Sequence, residues 1–346
     1  MRTAVRHARP ANDDDNRPQR SWPAREPQYE QWYAIVNHPS EPFALWFRYT
    51  LLQRRDGSGE ARLWAIATDP AHPELQVVAT QRLDLGAVAF ERERFGLALG
   101  DAGFLANGRA TGQVPSPVGS IAWDLEFAPA QHTFRSIASP LLSRLLSKSQ
   151  HRSPNSAVAA SGSVQLGDRR IELVDAAMTQ GHTFGSVMQR RWTWGSCPRF
   201  DGAPGCSFEG VATSRGSRIL MSCELQLDGQ RHAFNTLGDL VGHRLGHPAR
   251  GTRARFGLGE WTFAARSPAL QVSGRFHAAP PYRLVRYQDV DGSPLYNCHH
   301  SSGSLDLDVR AVDGRERHLA CAGRVPLELV ERTPPLGSDR DYLPAE

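Results

Sequence analysis

A chain of 346 residues exceeds the usual size of one hydrophobic core and favours two domains, and 40% hydrophobic residues suffice to fill them. The net charge of +4, with a pI near 8.9, is mildly basic, and nearly all of that base is arginine, Lys148 being the only lysine. The arginines are scattered among acids rather than gathered into a stripe interleaved with aromatics, so no nucleic-acid partner is expected.

Five cysteines (Cys197, Cys206, Cys223, Cys298 and Cys321) without CxxC spacing indicate neither a zinc site nor a disulfide scaffold. The N-terminal MRTAVRHARPANDDDNRPQR has no apolar h-region, and no apolar run is long enough to cross a bilayer. The expectation is a soluble, reducing, cytoplasmic setting that leaves a peripheral membrane contact open. No P-loop, dinucleotide fingerprint or Gly-x-Ser-x-Gly elbow is present, so no cofactor is expected.

Taken in order, residues 1–27 are polar, rich in Arg, Asp and Pro, and read as disordered. From Tyr29 onward the chain reads as strands. Phe43–Leu52 and Glu60–Thr68 flank the turn Asp56-Gly57-Ser58-Gly59. Leu75–Leu83, Phe95–Leu99, Gly103–Thr111 and Gly119–Phe127 follow, and Gly162–Leu166 and Arg170–Val174 flank Gly167-Asp168. The exception is Ile137–Ser149, where Leu141, Leu142, Leu145 and Leu146 share one face of a short helix whose serines and arginine should meet water. It caps a barrel end, or it is a lid or membrane-touching element. Gln150–Ser156, with Pro154, reads as a loop.

The second half continues with Ser207–Ala212, Arg218–Leu227, Arg231–Asn235, Arg253–Leu258, Glu260–Ala265, Gln271–Ala278, Tyr282–Gln288, Leu305–Val309 and His318–Leu329. From Thr333 the tail reads as frayed. Strands at short, regular spacing with Gly turns indicate antiparallel sandwiches or barrels, and their number suffices for two units.

The densest stretch in unusual residues is Gly181–Gly210, GHTFGSVMQRRWTWGSCPRFDGAPGCSFEG. Trp192 and Trp194, two apart on a strand, share a face and either fill a core or floor a ligand pocket. Asp201-Gly202 is turn chemistry, and Glu209 starts the next strand. The spacing His243-Arg-Leu-Gly-His247 lacks the glutamate of a zinc-protease helix, and adjacent His299 and His300 would point to opposite faces, so no metal is expected.

His182 to Gly185, then Trp192-x-Trp194-Gly195, Cys197 and Phe200-Asp201-Gly202 resemble the central motif of a superfamily. It holds the tocopherol cyclases, the carotenoid 1,2-hydratases (hydroxyneurosporene synthases) and the AttH-like proteins. Leu45–Thr50, Leu63–Ile66 and the strand pair Gly162–Asp175 agree with it. Relatives carry His-x-Trp-Gly, whereas Phe184 stands here in place of that tryptophan.

The resemblance covers roughly residues 28–330. It implies an all-β fold of two lipocalin-like antiparallel β-barrels packed side by side with one short helix. The barrels would span residues 28–178 and 179–332, leaving a tail over 333–346. It also implies a hydrophobic, isoprenoid or polyketide-like ligand in a barrel pocket. Hydratase-like or cyclase-like chemistry would begin by protonating a carbon–carbon double bond without a cofactor. That chemistry needs a carboxylic acid of raised pKa in an apolar pocket and aromatic faces to shelter a cation. Asp201 and Glu209 are the candidate acids, with His182 to orient one or take the proton back. Phe184, Trp192, Trp194 and Cys197 would line the ligand. Two alternatives stay open: a non-catalytic carrier of hydrophobic ligands, and a structural protein whose barrels are filled by their own side chains.

Overall fold

The computed structural model describes residues 12–216, 218–242 and 250–344. Alternating apolar and polar residues, punctuated by glycine turns, fold into two antiparallel sheets. The first has twelve strands: β1 (Gln28–Asn37), β2 (Ala44–Gln53), β3 (Gly59–Thr68), β4 (Val77–Leu83), β5 (Val88–Phe90), β6 (Gly96–Leu99), β7 (Gly103–Ala106), β8 (Arg109–Ser116), β9 (Gly119–Phe127), β10 (Phe134–Arg135), β11 (Ser149–Leu166) and β12 (Arg169–Gly185). The second has ten: β13 (Trp192–Cys197), β14 (Ser207–Arg215), β15 (Arg218–Leu227), β16 (Gln230–Phe234), β17 (Gly251–Gly257), β18 (Glu260–Arg266), β19 (Leu270–His277), β20 (Arg283–Gln288), β21 (Pro294–Ala311) and β22 (Glu316–Glu331). The sequence suggests one helix, but the described residues hold three short α-helices: α1 (Asp13–Asn16), α2 (Pro140–Leu146) and α3 (Leu237–Gly242).

The first sheet runs β4-β3-β2-β1-β12-β11-β9-β8-β7-β6-β5, with β10 beside β11. The second runs β16-β15-β14-β13-β22-β21-β19-β18-β17, with β20 beside β21. The second follows the path of the first without counterparts of β6 and β5, a topological repeat. Each sheet curls until β4 packs on β8, or β15 on β17. The result is two lipocalin-like barrels side by side.

Period-two alternation sends one face of each strand inward. Leu45, Phe47, Tyr49 and Leu51 of β2 fill the first barrel together with Trp32 and Trp123. Phe208, Trp261, Phe263 and Phe276 fill the second, and Trp261 stacks on Phe276 with centroids 4.9 Å apart. Gly195 and Gly210 sit opposite each other on β13 and β14 and make room for that stack. A Cβ on either would lie 2.7 Å from an atom of Phe276 or Trp261. The opposite faces meet between the barrels, where Tyr29, Tyr33, Trp46 and Trp64 pack against Met188, Trp194, Val211 and Tyr287.

Several local expectations change. Asn12, Asp13, Asp15 and Asn16, in the segment read as disordered, are buried. Their side chains find distant partners: Asp15 pairs with Arg135 and Arg152, and Asn16 bonds Gln180. Gly103–Thr111 is a hairpin turning at Asn107-Gly108, not one strand. The stretch 150–156 is strand, because Pro154 is accommodated where the β11–β12 register shifts between Arg152 and Asn155. A division at 178/179 falls inside β12, which stays paired with β1 through Gly185, and the chain changes sheets between Gly185 and Trp192.

On α2 the leucines Leu141 and Leu145 are exposed and Ser143 is buried, while Arg144 meets water as expected. The apolar stripe has no barrel end beneath it. The tail is tied at Tyr342, whose hydroxyl donates to the Leu336 carbonyl at 3.0 Å beside Cys298. His243 and His247 lie outside the described residues. No helix among the described residues is long and apolar enough to cross a membrane.

Candidate functional site

The facing sheets leave between them a cavity of about 1180 Å³. It lies between the barrels rather than inside one, because each interior is filled by its own aromatic side chains. Its floor is buried and includes Tyr33, Trp46, Trp194 and Tyr287. Its rim is exposed and includes Leu145 and Leu146 of α2 and Leu237 of α3. Tyr33 lies flat over β12 because Gly181, its cross-strand partner, has no side chain. A Cβ there would stand 2.3 Å from the phenol ring.

Glu209 follows from the alternation of β14: Phe208 points into the second barrel and Glu209 toward the first. Its Oε1 accepts from Ser153 Oγ at 2.5 Å and from Trp194 Nε1 at 2.9 Å, while Oε2 is buried without a partner. Burial pushes the carboxyl up from 4.5 to about 8, against the pull of those two hydrogen bonds. His151 Nε2 stands 3.9 Å from the same Oε1 and 2.7 Å from the Tyr33 hydroxyl. Burial holds this imidazole down at about 3, so it is neutral at physiological pH. Tyr33, His151 and Trp194 line the cavity, and Glu209 sits directly behind them.

The structure therefore brings Trp192, Trp194 and Glu209 together at one wall and leaves the other four candidates elsewhere. His182 lies on the far face of β12. Its Nδ1 donates to the Asp15 carbonyl at 2.7 Å, its Nε2 is 2.9 Å from Glu30, and its ring stacks on Trp32. This histidine seats α1 on the barrel. Phe184 shares that face, against His182 and under Arg152, so the tryptophan it replaces has no counterpart in the cavity wall. Cys197 is in the core of the second barrel. Asp201 is exposed in its turn, paired with Arg324 and accepting from Ala322 N at 3.1 Å.

Sequence reasoning missed Tyr33, His151, Ser153, Arg48 and Glu328. One signal was present: a His-x-Ser triplet stands at the corresponding place in each half, as His151-Arg152-Ser153 and His299-His300-Ser301. The two copies lie early in β11 and β21, the matching long strands, and each precedes a register shift. In the second copy His299 Nδ1 meets Glu328 at 2.9 Å and Nε2 meets Ser301 Oγ at 2.8 Å. His300 points away, toward Tyr282. Among the described residues no three His, Cys, Asp or Glu side chains gather as a metal site.

No protein-family model matches the chain, and no curated protein does. Solved structures do. A candidate AttH from Nitrosomonas europaea matches with a TM-score of 0.53 at 11% identity, over 88% of this chain and 93% of that one. Kievitone hydratase from Nectria haematococca matches with a TM-score of 0.55 at 7% identity, over 88% of this chain and 89% of the other. At such identities the likeness is one of fold, and the chain shares with both the two-barrel architecture that its central motif implies.

Proposed function

We propose that the cavity between the barrels binds a hydrophobic small molecule of isoprenoid or polyketide-like character. The cavity itself carries this reading: a buried aromatic floor joined to an exposed rim, with a volume just above the usual range of about 300–1,000 Å³ for small-molecule sites. Native mass spectrometry of freshly purified protein, with solvent extraction, tests it. A co-purified apolar molecule, or saturable quenching of tryptophan fluorescence by farnesol, is the expected result. A protein that arrives empty and takes up neither farnesol nor a fatty acid overturns it and leaves the cavity without a ligand.

A second reading, acid-catalysed hydration of a double bond, is favoured by Glu209. A carboxyl with a pKa of about 8 is largely protonated at neutral pH and can act as an acid there. The proton would go to one alkene carbon, the cation would rest against the faces of Trp192, Trp194 and Tyr33, and water would add to the other carbon. The proton that water then sheds returns to the Glu209 carboxylate. His151 and Tyr33, hydrogen-bonded to each other at 2.7 Å, stand between Glu209 and the cavity, and both transfers would pass along them once His151 Nε2 closes the 3.9 Å that separates it from the carboxyl. One of the two structures of like fold is named a hydratase, which agrees with this reading. Incubation of the bound ligand in heavy-oxygen water checks it: incorporation that falls about 10²-fold or more in Glu209→Gln supports it. Incorporation that is absent, or indifferent to the substitution, leaves binding alone.

A further inference from the structure

Among the residues that line the cavity, Arg48, Arg144, Lys148, Arg190 and Arg191 are basic and Glu328 alone is acidic. Arg191 is paired with Glu331, and Glu328 is engaged by His299. Arg48 differs from the rim cations in being only 5% exposed. It comes from β2 by the same alternation that places Trp46 on the floor.

The Arg48 guanidinium lies 3.8 Å over the ring centroid of Tyr287, 5.4 Å from that of Trp64 and 5.8 Å from that of Trp46. Its Nε donates to Thr50 Oγ1 at 2.9 Å. No other hydrogen-bond acceptor and no carboxylate at salt-bridge distance stands against it among the described residues, and Glu328, on the same cavity, attracts it only through space. Of the five N–H groups of a guanidinium, four are thus left without a hydrogen-bond partner among the described residues, on a side chain that lines the cavity. Stacking on aromatic faces returns far less than burying a cation without a close counter-charge costs. A buried, planar, two-pronged donor with no acceptor is shaped for a bidentate oxyanion.

We propose that the ligand carries a terminal oxyanion, a carboxylate, on its apolar body, and that Arg48 holds it at the floor of the cavity. The carbons next to it pack on Trp46 and Tyr287, and the cations of the rim draw such an anion in. This rests on the ligand-binding reading above and adds the chemistry of one end of the ligand.

The test compares palmitate, hexadecanol, methyl palmitate and hexadecyl phosphate by titration calorimetry on the wild-type protein and on Arg48→Met and Arg48→Lys. Palmitate should bind about tenfold or more tighter than the alcohol and the ester, the effect of a charge-assisted hydrogen bond. In Arg48→Met, which keeps an unbranched chain between the rings, that preference should vanish while hexadecanol binding stays within about twofold. Arg48→Lys, charged but without the fork, should fall between. Hexadecyl phosphate binding as well as palmitate would extend the site to phosphate-headed ligands, and weaker binding would confine it to carboxylates. Equal affinity for acid, alcohol and ester in the wild type overturns the proposal, as does a preference that survives Arg48→Met. If none of the four probes binds, the ligand-binding reading itself falls.

Discussion

Replacing Glu209 by glutamine removes one titrating proton and little else, which makes the buried carboxyl measurable through stability. The folded-state pKa of about 8 lies above the ordinary 4.5, and burial is the main cause. Between those values the folded protein holds a proton that the unfolded chain has released. The stabilisation from Glu209 is therefore complete below pH 4.5 and is lost as pH rises through about 8. The slope is about 1.4 kcal/mol per pH unit, or about 4 kcal/mol between pH 5 and 8.

His151 acts in the opposite sense. Its folded-state pKa of about 3 lies below the ordinary 6.5, so its contribution grows as pH rises from about 3 to 6.5. Between pH 4.5 and 6.5 the two slopes cancel in the wild-type protein, and a single stability profile would show neither. The difference between wild type and Glu209→Gln isolates the carboxyl. Urea denaturation at pH 5, 6, 7 and 8 should show the variant gaining on the wild type by about 4 kcal/mol across the series. A difference that stays constant from pH 5 to 8 would mean that Glu209 titrates as an ordinary carboxylate, and the acid-catalysis reading would lose its acid.

Trp194→Phe removes one of two hydrogen bonds that favour the charged form of Glu209, so the inflection of the same titration should move above 8; an unmoved inflection would mean the indole contributes nothing. His182→Ala breaks the buried contacts to Glu30 and Asp15, with an expected loss of about 3–5 kcal/mol and earlier proteolysis of the N-terminal segment, read by denaturation and limited digestion. Asp201→Asn removes a partly exposed pair with Arg324 and should cost at most about 1 kcal/mol, leaving ligand uptake unchanged. Leu141→Ser with Leu145→Ser alters exposed positions and should shift stability by less than about 0.5 kcal/mol. If the rim of the cavity touches lipid, the same double variant should float several-fold less with anionic vesicles, and equal flotation would remove that contact.

The parts of this molecule that were legible in the sequence are those written in local code. Alternation and Asp-Gly turns locate the hairpins β2–β3 and β15–β16 to within a residue. What stayed hidden depends on contacts far apart in the chain. The stretch Gln150–Ser156 looks like a loop because its polar residues have no apolar rhythm, yet Ser153 Oγ bonds Glu209 and His151 Nε2 bonds Tyr33. Asn12 and Asn16 look solvated for the same reason and are buried against Asn155 and Gln180. A composition rule cannot distinguish a polar residue that meets water from one that meets a partner more than a hundred positions away.

The same distinction decides which candidate residues reach the cavity. His182 and Glu209 sit in one motif, but β12 turns the first toward the interior of its own barrel and β14 turns the second toward the neighbouring barrel. Side-chain parity along a strand separates them, and parity follows from register, which pairing between distant strands sets. The cavity is therefore a product of the duplication of the topology. Two barrels, each closed over an aromatic core, present their outer faces to each other, and polar residues on those faces gain function only once the partner barrel shuts out water. Arg48, Tyr33 and His151 come from the first barrel, while Trp194, Tyr287 and Glu209 come from the second. A single barrel on its own would leave Arg48 solvated and Glu209 an ordinary surface carboxylate. The raised pKa of Glu209 is in this sense a measure of the packing between barrels, and it should fall toward 4.5 in any variant that lets water between them.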